Sequence, residues 1–163
     1  MDTNTDAAQD VSADTTGGSE LDRALVDSIL HFSFLVQSVL GRIADEEGLS
    51  IPQVRLLAVV EDRQIGMLEL SQILELGKSS LTGLVDRAER RGLVRRVPVP
   101  GDRRAIHIQP SDQGREIIDR VRASVRKEIL RLAEPLTPES RRATEASISL
   151  LIQQYAAHHS IPL

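Results

Sequence analysis

Residues 77–109 have the sequence GKSSLTGLVDRAERRGLVRRVPVPGDRRAIHIQ, whose periodicity changes midway. In the first part, apolar residues recur every three or four positions, at Leu81, Leu84, Val85 and Ala88. This spacing predicts one buried helix face over Lys78 to Arg91. Gly92 and Leu93 then supply a left-handed stop and its hydrophobic contact.

The second part of this stretch alternates with a period of two, which predicts a β-hairpin. Val94 and Val97 enclose two arginines, and Ile106 and Ile108 alternate with polar residues. The loop from Pro98 to Arg104 combines prolines, which stiffen the backbone, with a glycine, which allows it to turn. The hairpin is therefore expected to project two arginines on a constrained tip.

Helical patterns lie on both sides of this stretch. The predicted helices run from Leu21 to Glu47, from the capping Ser50 to about Asp62, from Leu68 to Leu74, from the capping Ser111 to before Pro135, and onward from Thr137 and Pro138. The second helix is expected to bury Val54, Leu57 and Ala58. The fold class is thus mainly α with a small β-hairpin wing, a winged helix-turn-helix lobe at about residues 50–110.

Charge is distributed unevenly along the chain, whose formal net charge is −4. Residues 1–20 contain five acids and no Lys or Arg, whereas residues 77–109 contain eight Lys and Arg against three acids, a charge of +5. Residues 1–19 also contain almost no large apolar side chains, so we expect a disordered acidic tail there. The basic stretch favours a nucleic-acid partner.

Polar side chains of the helix from Lys78 to Arg91 are candidates for contacts with duplex DNA. In a helix-turn-helix, the first turn of the second helix meets base edges and phosphates in the major groove. The residues off the apolar stripe are Lys78, Ser79, Ser80, Thr82 and Arg87. The alternative is an ordinary capped surface helix, since short polar first turns are common.

The hairpin tip supplies a second set of candidates, Asp102, Arg103 and Arg104. An arginine in a narrow minor groove gains from the enhanced negative potential there. A nearby aspartate is suited to orienting one guanidinium by a bidentate contact. The alternative is a solvated charged turn.

The ordered set of these segments resembles the MarR family of bacterial transcription regulators, from about Leu21 to the C-terminus. The matching pieces are Lys78 to Arg87, Gly92 to Val94, Asp102 to Arg104 and Ser111 to Gly114. The resemblance implies a homodimer, with residues 20–163 forming the MarR-type domain and residues 20–47 and 111–160 supplying the dimerisation helices. It also implies double-stranded DNA as partner and Arg104 as the minor-groove residue. The lack of cysteine, signal peptide and membrane span separately predicts a cytoplasmic location.

The resemblance further suggests a small, often aromatic or phenolic anion as effector. It would bind between the dimer helices and the winged lobe, with His31, Phe34 and Arg55 as candidate neighbours. Core packing is the alternative role for Phe34. The sequence departs from the family pattern at Glu75, where a helix-ending glycine is usual, and at Gly77, where a Ser or Asp cap is usual.

Gly83 is a further departure from the family pattern, because many relatives carry arginine at this position of the recognition helix. A mid-helix glycine costs about 1 kcal/mol relative to alanine. This position slightly favours an alternative function, a dimeric winged-helix module that docks a protein and no longer binds DNA. The charge of +5 on residues 77–109 disfavours it.

Other functional classes find little support in the residues. Cysteine is absent, which excludes disulfides and zinc-thiolate sites. The four histidines form no helical ligand pair, and His158 and His159 are expected at a frayed terminus. No Ser-His-Asp set, phosphate-binding glycine loop or paired-acid pocket is evident, so we expect no enzyme, metal or cofactor. We also expect no membrane-spanning segment and no signal peptide.

Overall fold

The computed structural model describes residues 11–61, 64–99, 101–159 and 161, without the side chains of residues 11–17, 103 and 104. It divides into two compact units, Met1–Val39 and Leu40–Leu163. The elements, in chain order, are α1 (Val11–Glu46), α2 (Ile51–Val60), β1 (Ile65–Gly66), α3 (Met67–Leu74), α4 (Lys78–Arg90), β2 (Val94–Val99), β3 (Asp102–Pro110), α5 (Asp112–Leu132) and α6 (Pro138–His159). The protein is mainly helical with a small antiparallel sheet, as the sequence predicts.

Helix α1 begins at Val11, ten residues before its predicted start. Residues 11–19 are therefore helical, and the prediction of a disordered tail differs from the structure over this range. The rest of the predicted tail, residues 1–10, lies outside the described residues.

The first unit exposes large apolar side chains of α1. They are Leu21, Leu25, Val26, Ile29, Leu30, Phe32, Phe34 and Leu35. Phe34 is 63% exposed, so the core role considered for it is wrong within this chain. The segment Gly18–Glu46 also contains an 18-residue window with a mean hydropathy of 1.5, so it is long and apolar enough to cross a membrane by length and composition, contrary to expectation. Core helices of soluble proteins and N-terminal signal sequences pass the same test, so this observation alone assigns no membrane role.

The core of the second unit gathers around α2 and α4. Its fully buried large side chains include Leu56, Leu57, Ile65, Leu70, Leu81, Val85, Leu93, Ile108 and Ile118. Leucine, isoleucine and valine fill this core because aromatic residues make up only 2% of the chain. Val54 and Leu57 are buried as predicted, whereas Ala58 is exposed.

The sheet has three strands in the order β1-β3-β2, one more than the predicted hairpin. Ile65 pairs with Ile108 and Gly66 pairs with His107, both antiparallel. A two-residue strand has no alternating pattern of its own, which is why the sequence does not reveal it. Because β1 pairs with β3, β3 is the central strand and is hydrogen-bonded on both edges at the base of the wing.

The junction between α4 and α5 depends on a serine cap and a glycine. The hydroxyl Oγ of Ser111 accepts a hydrogen bond from the Gly114 backbone N at 2.9 Å and donates one to the Gly92 carbonyl. Gly92 has a φ of 71°, which is the predicted left-handed helix stop. The base of the wing and the start of α5 are thus joined at one point.

Large apolar side chains are also exposed on α5, α6 and the turn between them. They are Leu130, Leu132, Leu136, Ile148, Leu150, Leu151, Ile152 and Tyr155. Such side chains along a helix leave a surface that a second apolar face covers favourably. Helix α6 continues to His159, so His158 and His159 are helical where a frayed terminus was expected. The ring centroids of Tyr155 and His159 lie 4.3 Å apart.

Candidate nucleic-acid interface

Helix α4 presents a polar face because its apolar face is anchored in the core. Leu81, Leu84, Val85 and Ala88 are each at most 3% exposed, as their spacing predicts. The candidate contact residues Lys78, Ser79, Ser80, Thr82 and Arg87 all lie off this buried face, and each is at least partly exposed. The Thr82 hydroxyl donates to the Lys78 carbonyl at 2.8 Å, so its oxygen remains available only as an acceptor.

The turn before α4 adopts the geometry that a glycine usually provides. Glu75 has a φ of 54° and is the only non-glycine residue with positive φ among the described residues. Its backbone N lies 3.2 Å from the Gln72 carbonyl and closes α3. The Tyr155 hydroxyl donates to Glu75 Oε1 at 2.6 Å, and this hydrogen bond raises the pKa of Tyr155. A contact from α6 therefore holds the turn at Glu75, where the sequence departs from the family pattern.

Arg96 ties the wing to α4. Its Nη2 lies 2.6 Å from Oδ1 of Asp86, and its Nη1 donates to Glu89 Oε2. The Arg96 backbone N also donates to Glu89 Oε1 at 3.3 Å. Although desolvation lowers it, these hydrogen bonds and charges raise the pKa of Arg96 overall. One half-buried guanidinium thus forms ion pairs with both acidic side chains of α4.

Sequence reasoning counted these three residues only as charges and missed their contact. The residues lie seven and ten positions apart, on a helix and a strand, so no local pattern connects them. The sequence offers one indication of this contact: Asp86 and Glu89 lie near the end of α4, and Arg96 lies early in the next element, β2. Arg96 therefore connects β2 to α4, and its guanidinium is paired with acids of the same chain.

We expect the Arg96 contacts to show measurable coupling. Arg96→Met should lower the free energy of unfolding by about 1 kcal/mol more in the wild-type background than in an Asp86→Asn/Glu89→Gln background. The reason is that the substitution leaves two carboxylates without their cation only in the first background. Urea unfolding of the four proteins at one concentration measures this difference. Equal losses in both backgrounds would show that the ion pairs contribute nothing.

The wing tip is narrower than predicted and contains an irregularity. Strand β2 continues to Val99 and β3 begins at Asp102, so the predicted loop from Pro98 to Arg104 is mostly strand. Pro98 pairs with Ile106 but Val99 pairs with Asp102. This shift leaves residues 103–105 without a pairing partner on β2, as in a β-bulge, which commonly redirects side chains. Gly101 turns the chain with a φ of 87°.

The candidate wing residues are therefore at the start of β3. Asp102 is exposed, and the side chains of Arg103 and Arg104 lie outside the described part of the structure. These three residues lie at the tip of the hairpin formed by β2 and β3, and β1 pairs with β3 near the base of this hairpin. Arg104 lies within the irregular segment.

The three candidate effector-binding residues belong to different units. His31 and Phe34 are residues of α1 in the first unit, and Arg55 is an exposed residue of α2 in the second. Among the described residues, no group of three or more His, Asp or Glu side chains is placed to hold a metal ion.

Comparison with known proteins identifies relatives across most of the chain. The MarR family profile matches residues 47–105. The chain is 32% identical over 128 residues to the uncharacterized HTH-type transcriptional regulator YsmB of Bacillus subtilis, covering 76% of this chain and 86% of YsmB. It is 31% identical over 101 residues to the HTH-type transcriptional regulator PecS of Dickeya dadantii, covering 60% of this chain and 61% of PecS.

A solved structure shares the fold over nearly its whole length. This MarR family protein from Bacillus stearothermophilus has a TM-score of 0.74 and 26% identity to the chain, and the match covers 84% of this chain and 97% of that one. The sequence matches and the structural match agree on the same winged helix-turn-helix architecture. The chain therefore belongs to the MarR family of transcriptional regulators.

Proposed function

We propose that this protein is a sequence-specific regulator of transcription that binds double-stranded DNA in the bacterial cytoplasm. In this proposal α4 enters the major groove and the wing reaches the adjacent minor groove. Family membership supports the function, since the relatives are named as HTH-type transcriptional regulators. The observation that carries it is the polar face of α4 braced to the wing through Arg96.

The proposed contacts divide by chemistry. Lys78 and Arg87 bind phosphates as cations, while Ser79, Ser80 and Thr82 contact phosphates or base edges through their hydroxyl groups. On the wing, Arg104 enters the minor groove, and Asp102 and Arg103 complete the tip. Arg96 pairs with both Asp86 and Glu89, so its one positive charge offsets part of the negative charge that these acids place beside the cations of α4.

We propose that the regulator acts as a homodimer. The apolar side chains exposed on α1 and on α5 and α6 support this, because a second copy would remove them from water. A two-fold dimer reads a pseudo-palindromic operator with half-sites about one helical turn apart. Bound there, it would repress by blocking polymerase or a neighbouring regulator.

We further propose a small aromatic or phenolic anion as effector. Two solved chains of the same fold carry ligands that fit these proposals. A point mutant of MepR from S. aureus, 13% identical with a TM-score of 0.58, is bound to an oligodeoxyribonucleotide. CouR from Rhodococcus jostii, 19% identical with a TM-score of 0.61, is bound to p-coumaroyl-CoA. Both likenesses concern the fold; His31, Phe34 and Arg55 remain the proposed effector neighbours.

The wing substitution Arg104→Ala tests the DNA-binding proposal. We expect weaker binding to the gene's own upstream region, an unchanged Tm, and a shallower dependence of log Kd on log salt by about 1, as for one lost phosphate-type cationic contact. Electrophoretic shift across salt concentrations gives both quantities. Arg142→Ala on α6 is the control, since this arginine is 73% exposed and pairs only with Glu139 among described residues.

Two results would contradict the proposal in different ways. Equal affinity of the Arg104 variant and the control would remove the wing from the interface. Failure of the unmodified protein to bind duplex DNA at any salt would favour the protein-docking module instead. A Cβ at Gly83 would lie 3.2 Å from Nη1 of Arg87, the end of an exposed and flexible side chain that can move aside, so this contact does not explain the glycine.

A further inference from the structure

A cavity of about 410 Å³ lies between the start of α2 and the end of α4. Its lining residues are Ser50, Gln53, Arg87, Arg90 and Arg91, and we call it the arginine cavity. Sequence reasoning assigned only Arg87 a role and did not connect α4 with the cap of α2. Three of the five lining residues carry a guanidinium, and none carries a carboxylate.

A buried neutral residue positions one of these guanidinium groups. Gln53 is only 6% exposed, and its Oε1 accepts hydrogen bonds from Nη1 of Arg91 and from the backbone N of Ser50, both at 3.1 Å. The same oxygen lies 3.3 Å from the Ser50 hydroxyl. Because the amide is uncharged, it orients Arg91 without neutralising it. Part of the conformational entropy of the Arg91 side chain is therefore lost before a ligand binds, so binding costs less.

The acids and the arginines near the end of α4 have different partners. The two acids, Asp86 and Glu89, are paired with Arg96 on the wing side. Within the described ranges, neither Arg87, Arg90 nor Arg91 forms an ion pair. The lining of the arginine cavity therefore concentrates positive charge on one concave surface. That arrangement is suited to an anion.

Phosphate is the anion that fits best. A guanidinium fork donates two parallel hydrogen bonds to phosphate oxygens, and three forks around one cavity match a doubly or singly charged tetrahedral group. The cavity also adjoins the polar face of α4, since Ser79 and Arg90 are eleven residues, about three turns, apart on one helix side. A groove that receives this face brings its backbone phosphates toward the cavity.

We propose that the arginine cavity binds a phosphate group, and that in the DNA complex this group is a backbone phosphate at the edge of the major groove. The second half of this statement rests on the proposed function. Arg90 and Arg91 are the new contact residues, and Gln53 is a positioning residue for Arg91. The contact adds affinity for every DNA sequence and selects among none.

The test uses the full chain, a mixed-sequence 30-base-pair duplex and the double variant Arg90→Gln/Arg91→Gln. We expect the variant to bind about tenfold more weakly at low salt, as for one lost charged hydrogen-bonding contact, with a salt slope shallower by about 1. Arg141→Gln/Arg142→Gln on α6 removes the same charge and should leave both quantities unchanged. Arg90→Lys, which keeps a cation, should restore most of the affinity lost in Arg90→Gln.

Inorganic phosphate separates the cavity from the DNA proposal. At equal ionic strength, phosphate should raise the Tm of the wild-type protein relative to chloride, and this rise should vanish in the double variant. If the wild type binds duplex but the double variant binds equally with an equal salt slope, the backbone-phosphate assignment is overturned while the proposed function stands. If the wild type binds no duplex, the proposed function fails, and the phosphate-dependent Tm alone supports or overturns the cavity as an anion site.

If the double variant does not fold, the single variant Arg90→Gln tests the proposal instead. Arg90 has no hydrogen bond or ion pair through its side chain with any described residue, so Arg90→Gln alone is expected to keep the wild-type Tm. Wild-type affinity and salt slope in a folded Arg90→Gln variant would overturn the role of Arg90.

Discussion

Gly114→Ala is expected to destabilise the second unit by about 3 kcal/mol, the upper part of the range for overpacked sites. A Cβ on Gly114 would overlap the carbonyl oxygen of Leu93 and approach Cδ2 of Leu57 at 3.2 Å. The overlapping atom belongs to the backbone, so no side-chain rotation relieves it. The Leu93 carbonyl also accepts a hydrogen bond from the Ser111 backbone N at 3.0 Å, so its movement disturbs the cap of α5.

Urea unfolding at fixed protein concentration measures this loss, because association of copies would otherwise change the apparent stability. Gly41→Ala is the matched control. It lies inside α1, where an added Cβ meets only Ile51 Cδ1 at an ordinary 3.8 Å, and alanine is favoured there by up to about 1 kcal/mol. A Gly114→Ala protein as stable as the wild type would mean that the contact between α5 and Leu93 is looser than the structure shows.

Leu84→Ala should destabilise the winged lobe by about 2 to 5 kcal/mol. Leu84 is 3% exposed at the centre of the apolar face of α4, so its truncation leaves a cavity beneath the helix that carries the proposed contacts. DNA affinity should fall together with stability, because the polar face is held in place by this packing.

Thermal and urea unfolding of Leu84→Ala and Leu68→Ala provide the comparison. Leu68 is 78% exposed, so the same chemical change there should alter the free energy of unfolding by no more than about 0.5 kcal/mol. Similar effects at the two positions would mean that α4 is rotated about its axis, with Leu84 turned away from the core.

Most of the winged lobe is predictable from the sequence because its signals are local. The spacing of Leu81, Leu84, Val85 and Ala88 determines which side of α4 is buried, and Gly92 and Ser111 mark its end and the next start. The ordered set of motifs also leads to the correct family. Each of these inferences depends on residues within a few turns of one another.

The features that the sequence does not reveal depend on contacts through space. Strand β1 is recognisable only by its pairing with β3, and Arg96 only by its approach to Asp86 and Glu89. The arginine cavity likewise needs Gln53 of α2 beside the end of α4. The positive φ of Glu75 is another case, since its Tyr155 partner lies eighty residues away.

The contacts of Arg96 couple the positions of β2 and α4. Strand β2 and α4 share three hydrogen bonds through this one residue, so a displacement of either element carries the other with it. In the proposed DNA complex, the spacing between the α4 contact and the wing contact is then set within each lobe. In the proposed homodimer, tolerance for operators with altered half-site spacing would therefore come from movement between the two lobes.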